Sequence, residues 1–292
     1  MAREAIEDAL RFEHPLRRYT SFRVGGCAEV FAEPTDMGQL QEVLRYGNEQ
    51  GLDVSVLGKG CNVLISDDGV RGMVVHLTGW YFNRIERRGD GMIVCGGGAN
   101  LSRLVADTAQ WGLEGLETLV GVPGSLGGAV AMNAGGRHGA IGSYVRGVTS
   151  IGYDGEIHHY GREEIEFGYR CSSLSGEIIM DAELELVTGD KDAISTRMSD
   201  IFHQKNKTQP LTSRSAGCVF KNPEGHSAGA LIDTLGLKSM RIGDAAVSGK
   251  HANFIINLGS ATASQIMELI CKIRDEVKRR YGQILDMEIK IW

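Results

Sequence analysis

Glycine is the residue type that most restricts how this chain can fold. The chain has 40 glycines but only 5 prolines among its 292 residues, and this glycine share is about twice the usual one. The glycines cluster between segments of regular apolar spacing, most densely from Leu119 to Gly142. Because glycine accepts positive φ angles and lets two backbones approach closely, this pattern predicts a folded chain with many tight turns.

Length, charge and apolar patterning exclude several classes of protein. At 292 residues the chain can form two or three packed units with a large core. Its net charge of −6 disfavours nucleic acid as a partner. Residues 1–10 lack the apolar core of a signal peptide, and no run of about 18 apolar residues occurs. We therefore expect a cytoplasmic protein without a membrane span.

The cysteines and histidines do not form a recognisable metal-binding pattern. No two of the six cysteines form a C-x-x-C pair, so neither a zinc site nor a dithiol redox motif is expected. The eight histidines show no ligand spacing either. We predict no metal site, and free thiols in a reducing compartment.

Apolar periodicity divides the chain into three α+β units, at residues 1–85, 86–190 and 191–292. The strongest helix signal is the capping box of Thr262 and Gln265, followed by an apolar stripe that ends at Gly282. The other predicted elements are helices capped by Thr35 or Asp36, following Gly98 and over Asp190–Asn206, and strands at Asp53–Leu57, Val63–Ile65, Met73–Leu77, Met92–Cys95, Gly147–Gly152, Glu156–Tyr160, Ile178–Val187 and, by alternation, Leu285–Ile291.

Two glycine-rich loops are candidates for binding phosphate. One is Gly58–Asn62, which follows a predicted strand, and the other is Gly121–Gly128. Successive backbone N–H groups in such loops can converge on a phosphate oxygen. Neither loop has the order G-x-G-x-x-G or G-x-x-x-x-G-K-[ST], so neither a Rossmann nor a P-loop site is supported. Two ordinary tight turns remain the alternative, but the presence of both loops favours a bound diphosphate cofactor.

Several motifs, met in order along the chain, resemble one enzyme family. They are Tyr19–Gly26, Gly58–Asn62, Val122–Gly135, Phe167–Ser172, Ser215–Pro223 and Val247–Phe254. Together they resemble the UDP-N-acetylenolpyruvoylglucosamine reductase (MurB) family, in its shorter form without the inserted tyrosine loop. Two departures stand out: Cys218 occupies a position where most members have serine, and Gly136-Arg137-His138 replaces an Ala-Tyr-Gly type sequence.

The resemblance implies both a fold and a reaction. The fold would be α+β, with residues 1–85 and 86–190 forming an FAD-binding module of the FAD-linked oxidase (PCMH-type) superfamily and residues 191–292 forming an α/β substrate domain. The reaction would be reduction of UDP-N-acetylglucosamine enolpyruvate to UDP-N-acetylmuramate for peptidoglycan precursors, with FAD as cofactor and NADPH as hydride donor. The expected partners are these small molecules alone, and we expect a monomer.

The family motifs carry three catalytic assignments onto this chain. Arg170 would stabilise the substrate carboxylate and the enolate, because a guanidinium binds a carboxylate bidentately and keeps its proton. Cys218 would protonate the α carbon, since an ordinary cysteine thiol is mostly protonated at neutral pH. Glu288 would be a second stabiliser and would have to carry a proton itself. Without the resemblance, the simpler interpretation of these residues is a surface or ion-paired arginine, a small buried thiol and a solvated carboxylate, with Asp286 replacing Glu288 if the register shifts by two.

The remaining site assignments concern the cofactor and the substrate. The cofactor-binding candidates are Gly58, Lys59, Gly60, Cys61, Asn62, Pro123, Gly124, Ser125, Gly127, Gly128 and Asn133. Lys207, Arg214 and Asn222 could hold the diphosphate of the substrate. Two rivals stay open: another FAD-linked oxidoreductase, and a binding protein that has kept the flavin site without catalysis.

Overall fold

The structure is a computed structural model that describes residues 6–292. Residues 1–5, the start of the segment tested for a signal peptide and of the first predicted unit, lie outside the described residues. The helices are α1 Met37–Glu49, α2 Gly79–Asn83, α3 Leu101–Gln110, α4 Leu126–Ala131, α5 Lys191–Thr208, α6 Ala228–Thr234 and α7 Ala263–Tyr281. The strands are β1 Leu10–Pro15, β2 Cys27–Ala32, β3 Val54–Val56, β4 Val63–Leu64, β5 Val70–Val75, β6 Ile85–Arg88, β7 Met92–Gly96, β8 Leu113–Glu114, β9 Gly135–Gly136, β10 Gly139–Ala140, β11 Val145–Ile151, β12 Ile157–Gly161, β13 Phe167–Gly168, β14 Cys171–Ser172, β15 Ile178–Glu185, β16 Val187–Thr188, β17 Arg241–Ile242, β18 Ala245–Val247, β19 Ile255–Asn257 and β20 Lys290–Ile291.

Three sheets organise the strands. One has four strands in the order β1-β2-β5-β3, and β3 pairs parallel to β5. A second has the order β12-β11-β15-β7-β6, with antiparallel pairing throughout. The third has the order β17-β18-β19. Among the short pairs, β20 pairs parallel to β4. The helices and sheets together confirm the mixed α and β content expected from the sequence.

The chain divides into two compact units whose ranges interleave. The first unit contains residues 6–12, Glu29–Lys59 and Arg71–His203, and the second contains Glu13–Ala28, Gly60–Val70 and Gln204–Trp292. The division into three units at residues 85 and 190 stays a prediction.

The buried apolar residues form three clusters among residues 6–292, two in the first unit and one in the second. In the first unit, Leu101, Leu104 and Val105 on one side of α3 are buried against residues of the five-stranded sheet. In the second unit, α7 buries the stripe that its sequence predicts, including Ile266, Ile270 and Val277. Burying a side chain of this size contributes about 1.5–3 kcal/mol before the entropy of ordering is subtracted. Helix periodicity therefore identified the faces of α3 and α7 that pack into two of these clusters.

The helix ends agree well with the predicted capping residues. The Asp36 side chain accepts a hydrogen bond from Gln39 N at the start of α1. Thr262 and Gln265 form the predicted capping box at α7, and Gly282 ends that helix with φ of 68°. Since a left-handed φ is cheap only for glycine, the end of α7 is encoded locally.

The structure corrects two predictions about secondary structure. The strand expected over Leu285–Ile291 is limited to Lys290–Ile291, although Leu285 and Ile289 are buried as the alternation requires. Ahead of it, Met287 makes only an isolated bridge to Phe220. The glycine-rich segment after Gly121 contains helix α4, whereas the sequence suggested only a loop. Isolated helices this short are unstable, so its formation depends on contacts with distant segments.

Three further observations concern residues 6–292 as a whole. No helix in this range is long and apolar enough to cross a membrane. The range contains no group of three or more His, Cys, Asp or Glu side chains placed to hold a metal ion. All six cysteines are free thiols.

A second cap joins α7 to a distant loop of the second unit. The Asp67 carboxylate accepts hydrogen bonds from Ala263 N at 2.8 Å, Ser264 N at 2.9 Å and Ser264 Oγ at 2.7 Å. Burial acts to raise the pKa of Asp67, but these hydrogen bonds outweigh it and hold the pKa below its ordinary value. A negative charge at a helix N-terminus is also stabilised by the helix dipole. Asp67 therefore stabilises the folded state while it is ionised.

We predict that Asp67→Ala lowers the free energy of unfolding by about 1 kcal/mol at neutral pH. The folded-state pKa lies below the unfolded one, so this stabilisation is complete above the unfolded pKa and is lost as pH falls through the folded pKa. Denaturant titrations should give a constant difference between parent and variant at neutral pH that narrows below about pH 4. Asp68→Ala, a change at the exposed neighbouring position, is the matched control; an equal loss there would contradict a specific cap.

Candidate active site

The second glycine loop is built by close backbone contacts inside the first unit. Leu126 N donates to Ala99 O at 2.9 Å and Gly127 N donates to Gly97 O at 2.8 Å. The Ser125 side chain caps α4 by accepting from Gly128 N at 3.4 Å. The first N–H groups of α4 are thus used within the protein, so the helix start alone does not offer an open anion site.

The residues just before α4 have the openness that a diphosphate requires. Within residues 6–292, the N–H groups of Gly124 and Ser125 have no protein acceptor. Gly124 has φ of 145°, and a Cβ added there would meet no atom within 4 Å. A glycine backbone that faces open space with free donors fits a phosphate oxygen. These donors are therefore consistent with the diphosphate cofactor that the sequence predicts.

Gly58 packs against Ser125 of the second glycine loop. A Cβ added to Gly58 would collide with the Ser125 hydroxyl oxygen, so only glycine fits without movement at this position. Lys59, the next residue, is exposed. The start of one predicted phosphate loop and the middle of the other are therefore in contact within the first unit. Pro123 and Gly128 are exposed on either side of this contact.

Arg170 lies in a hairpin that is connected to the C-terminal end of α4. The hairpin pairs β13 with β14, and Arg170 occupies its turn with φ of 59°. Its Nη1 donates to Gly135 O at 2.8 Å, and its guanidinium carbon lies 5.5 Å from the centre of the Tyr169 ring. Ser172 Oγ donates to Ala131 O at 3.1 Å, at the end of α4. The first unit thus brings Arg170 and the second glycine loop into one connected region.

Asn133 holds that region together. Its Nδ2 donates to Gly168 O at 2.9 Å, and its Oδ1 accepts from Gly142 N at 3.1 Å. Its backbone has φ of 43°, which asparagine tolerates better than most residues. The predicted contact between Asn133 and the cofactor remains a prediction. What the structure describes is a tie between the residues after α4 and the hairpin of Arg170.

In the second unit, Gly60, Cys61 and Asn62 are packed against the Tyr19–Gly26 motif and the chain near Glu288. Ser21 N donates to Gly60 O at 2.9 Å, and Ser21 Oγ donates to Cys61 Sγ at 3.1 Å. A Cβ on Gly60 would collide with Tyr19 O. Asn62 Nδ2 donates to Glu288 O at 3.2 Å, although 226 residues separate the two.

Cys218 and Glu288 lie on neighbouring backbone segments of the second unit. Glu288 N donates to Val219 O at 2.8 Å, one residue beyond Cys218. Both side chains are half-buried, whereas Asp286 is exposed. Cys218 also bridges to Phe254 in antiparallel fashion. The structure therefore brings the Cys218 and Glu288 backbones together, as the resemblance requires.

The three predicted substrate residues are less closely grouped. Asn222 uses Oδ1 to accept from Ala228 N at 3.0 Å, at the start of α6. Arg214 Nη1 donates to Gly259 O at 3.1 Å. Lys207 is exposed in the last turn of α5. Their contact with a substrate stays a prediction.

Asn253 lies in the Val247–Phe254 motif, where the sequence leaves structural hydrogen bonding and substrate contact as alternatives. Asn253 is buried and pairs through its side chain with the backbone of Phe220, two residues after Cys218. The signal that could have singled it out is a polar side chain directly before an apolar strand, because such a residue needs partners once buried.

Two family models match separate ranges of the chain. Residues 28–161 match a family described as FAD binding domain, and residues 209–292 match the UDP-N-acetylenolpyruvoylglucosamine reductase C-terminal domain. UDP-N-acetylenolpyruvoylglucosamine reductase 2 of Symbiobacterium thermophilum is 42% identical over 285 residues, which cover 97% of this chain and 92% of the relative. UDP-N-acetylenolpyruvoylglucosamine reductase of Moorella thermoacetica is 43% identical over 279 residues, covering 95% and 91%.

A solved structure gives the same answer for the fold. The crystal structure of UDP-N-acetylenolpyruvylglucosamine reductase (MurB) from Thermus caldophilus matches with a TM-score of 0.83 and 38% identity, covering 97% of this chain and 98% of that one. The FAD-binding module and the C-terminal domain expected from the sequence are both confirmed. This chain belongs to the MurB family of UDP-N-acetylenolpyruvoylglucosamine reductases.

Proposed function

We propose that this enzyme reduces the enolpyruvyl group of UDP-N-acetylglucosamine enolpyruvate to the lactyl ether of UDP-N-acetylmuramate, a step of peptidoglycan precursor synthesis. NADPH is the hydride donor and FAD is the cofactor. The observation that carries the proposal is that one chain matches both an FAD binding domain and the reductase C-terminal domain. An FAD-linked oxidase of another kind would share only the first of these.

FAD, when bound, supplies the redox chemistry by accepting hydride from NADPH and passing hydride to the substrate. The residues that would hold its diphosphate all lie in the two glycine-rich loops: Gly58, Lys59, Gly60, Cys61, Asn62, Pro123, Gly124, Ser125, Gly127 and Gly128. The free N–H groups of Gly124 and Ser125 support this assignment. Asn133 is a further candidate for contact with the cofactor, and its side chain is held by hydrogen bonds to the backbones of Gly168 and Gly142.

Three side chains would handle the charge and the proton of the second half-reaction. Hydride addition to the vinyl carbon puts negative charge on the α carbon and the carboxylate, so the site needs fixed positive charge and an acid. Arg170 would bind the carboxylate, Cys218 would give its thiol proton to the α carbon, and Glu288 in its protonated form would donate a hydrogen bond to the enolate. The adjacency of the Cys218 and Glu288 backbones supports the last two roles.

The remaining parts of the proposal concern binding. Lys207, Arg214 and Asn222 would bind the UDP diphosphate. NADPH and substrate would occupy one cavity in turn, because the sequence has no separate dinucleotide fingerprint. This order of binding implies ping-pong kinetics. We further propose a cytoplasmic monomer that acts on small molecules alone.

The reaction itself can be tested on the purified protein by flavin absorbance. NADPH added without oxygen should bleach the visible absorbance, and UDP-N-acetylglucosamine enolpyruvate should then restore it with formation of UDP-N-acetylmuramate. UDP-N-acetylglucosamine, which lacks the enolpyruvyl group, should leave the flavin bleached. Recovery with oxygen alone would indicate an oxidase, and a flavin that never responds would indicate a binding protein.

The cofactor assignment predicts the effect of one added methyl group. Gly58→Ala should weaken FAD binding about 10-fold or more, because the methyl group must displace Ser125 from its cap at α4. The measurement is the flavin-to-protein ratio after dialysis at matched concentrations. Gly176→Ala, at an exposed position where a Cβ meets no atom within 4 Å, should retain the parent ratio. Equal FAD content in both variants would argue against the loop assignment.

The role of Cys218 predicts opposite outcomes for two small substitutions. Cys218→Ser should keep or raise turnover, because a hydroxyl can also give a proton. Cys218→Ala should lower turnover about 100-fold or more, because no acid remains. The comparison uses kcat with saturating NADPH and substrate. An alanine variant as fast as the parent would remove Cys218 from the mechanism.

A further inference from the structure

Asn253 makes an unusually complete pair with one peptide unit. Its Oδ1 accepts from Phe220 N at 2.9 Å and its Nδ2 donates to Phe220 O at 2.8 Å. The residue is only 3% exposed, so water cannot replace either hydrogen bond. A side-chain amide has one acceptor and one donor side, and here it acts as a neighbouring strand would.

This pair fills a gap in the backbone pairing of the segment that carries Cys218. Val219 N donates to Asn253 O at 2.9 Å, and Val219 O accepts from Glu288 N at 2.8 Å. Lys221 N donates to Asp286 O at 2.8 Å. Phe220 faces Met287 through an isolated bridge, and its own N–H and C=O are the groups that Asn253 takes. Residues 218–221 are thus hydrogen-bonded on both sides, by the Asn253 segment and by the Glu288 segment.

Asn253 is itself held by the turn that precedes β19. Its backbone N–H donates to His251 Nδ1 at 3.2 Å, and the His251 ring packs edge-on against Phe254 with centroids 4.9 Å apart. Ser248 N donates to Phe254 O at 2.8 Å, closing the turn. The amide therefore reaches Phe220 from a fixed base, which a mobile loop could not provide.

Substitution chemistry singles out the amide at this position. Aspartate would keep the acceptor for Phe220 N but would face Phe220 O with a second acceptor, and two acceptors opposed in a buried site are costly. Alanine would leave both peptide groups of Phe220 without partners, and leaving buried groups unpaired costs more than the hydrogen bonds contribute.

We propose that Asn253 is a positioning residue for the second half-reaction: by fixing the peptide of Phe220, it sets where the Cys218 thiol stands relative to the Glu288 segment. This inference rests on the proposed function, because it takes Cys218 as the acid. Asn253 does not touch substrate in this role. It acts through the backbone on which the acid is carried.

The test compares Asn253→Asp with Asn257→Ala, a matched control in the same unit. Asn257 is also buried and also pairs with backbone, donating to Phe22 O at 2.8 Å and accepting from Gly259 N at 2.8 Å. Its side chain does not bond to residues 218–221. Rapid mixing of the FAD-loaded enzymes measures flavin reduction by NADPH and flavin reoxidation by UDP-N-acetylglucosamine enolpyruvate separately, each normalised to bound FAD.

Asn253→Asp should slow reoxidation about 10-fold or more, because small displacements of an acid are costly, while flavin reduction stays within about twofold of the parent. Asn257→Ala should leave the ratio of the two rates unchanged even if its melting temperature falls. An unchanged ratio of the two rates in Asn253→Asp, whether both half-reactions slow equally or neither slows, would overturn the proposal. A parent enzyme that fails to reoxidise with this substrate would instead overturn the proposed function.

A double-mutant cycle distinguishes action through Cys218 from a separate effect. In a Cys218→Ala background the reoxidation rate should no longer respond to Asn253→Asp, because there is no acid left to position. Full additivity of the two losses would contradict the proposal. If Asn253→Asp does not fold with FAD, Asn253→Ser is used in the same cycle, since serine is small and uncharged and removes both hydrogen bonds to Phe220.

Discussion

The hydrogen bonds from Leu126 N to Ala99 O and from Gly127 N to Gly97 O are the contacts on which the first unit depends. The second of these brings two glycine backbones close together, because a Cβ added to Gly127 would meet Gly97 O at 3.1 Å. They fix the start of α4, and α4 in turn carries Ser125 to Gly58 at one end and Ala131 to Ser172 at the other. The high glycine content is therefore concentrated where backbones must touch.

In the second unit, asparagine side chains hold backbone segments together. Its site segments are joined by isolated bridges, where a regular ladder is missing. Side-chain amides supply partners for backbone carbonyl groups: the buried Asn253 for Phe220, the buried Asn257 for Phe22 and the half-buried Asn62 for Glu288. A side-chain amide can imitate a peptide group wherever the chain bends away from its neighbour. The geometry around Cys218 is therefore set by side chains as much as by strands.

Local signals in the sequence were sufficient to predict the helices that have a capping residue or a regular apolar stripe. The ends of α7 were predicted from Thr262, Gln265 and Gly282, and α3 was predicted from its apolar spacing. Both signals depend only on residues that are close together in the chain. Helix α4 could not be predicted, since its support comes from Gly97 and Ala99 far back in the chain. The length of β20 was overestimated for a similar reason. Alternation indicates which side chains are buried, whereas the length of a strand depends on a hydrogen-bonded partner strand.

The same distinction applies to the candidate site. Motif resemblance named Arg170, Cys218 and Glu288, and the neighbouring backbones of the last two agree with it. Asn253 lies within the Val247–Phe254 motif, but its pairing with Phe220 could not be predicted, because that peptide is 33 residues away in the chain.

The parallel pairing of β4 with β20 has a consequence for biosynthesis. Lys290 N donates to Asn62 O and Trp292 N donates to Leu64 O, so a segment translated early obtains its partner only after more than two hundred further residues have been added. Until then, the carbonyl groups of Asn62 and Leu64 have no donor from Lys290 and Trp292. The nascent polypeptide therefore cannot form this parallel pair on the ribosome before residues 290–292 have been synthesised.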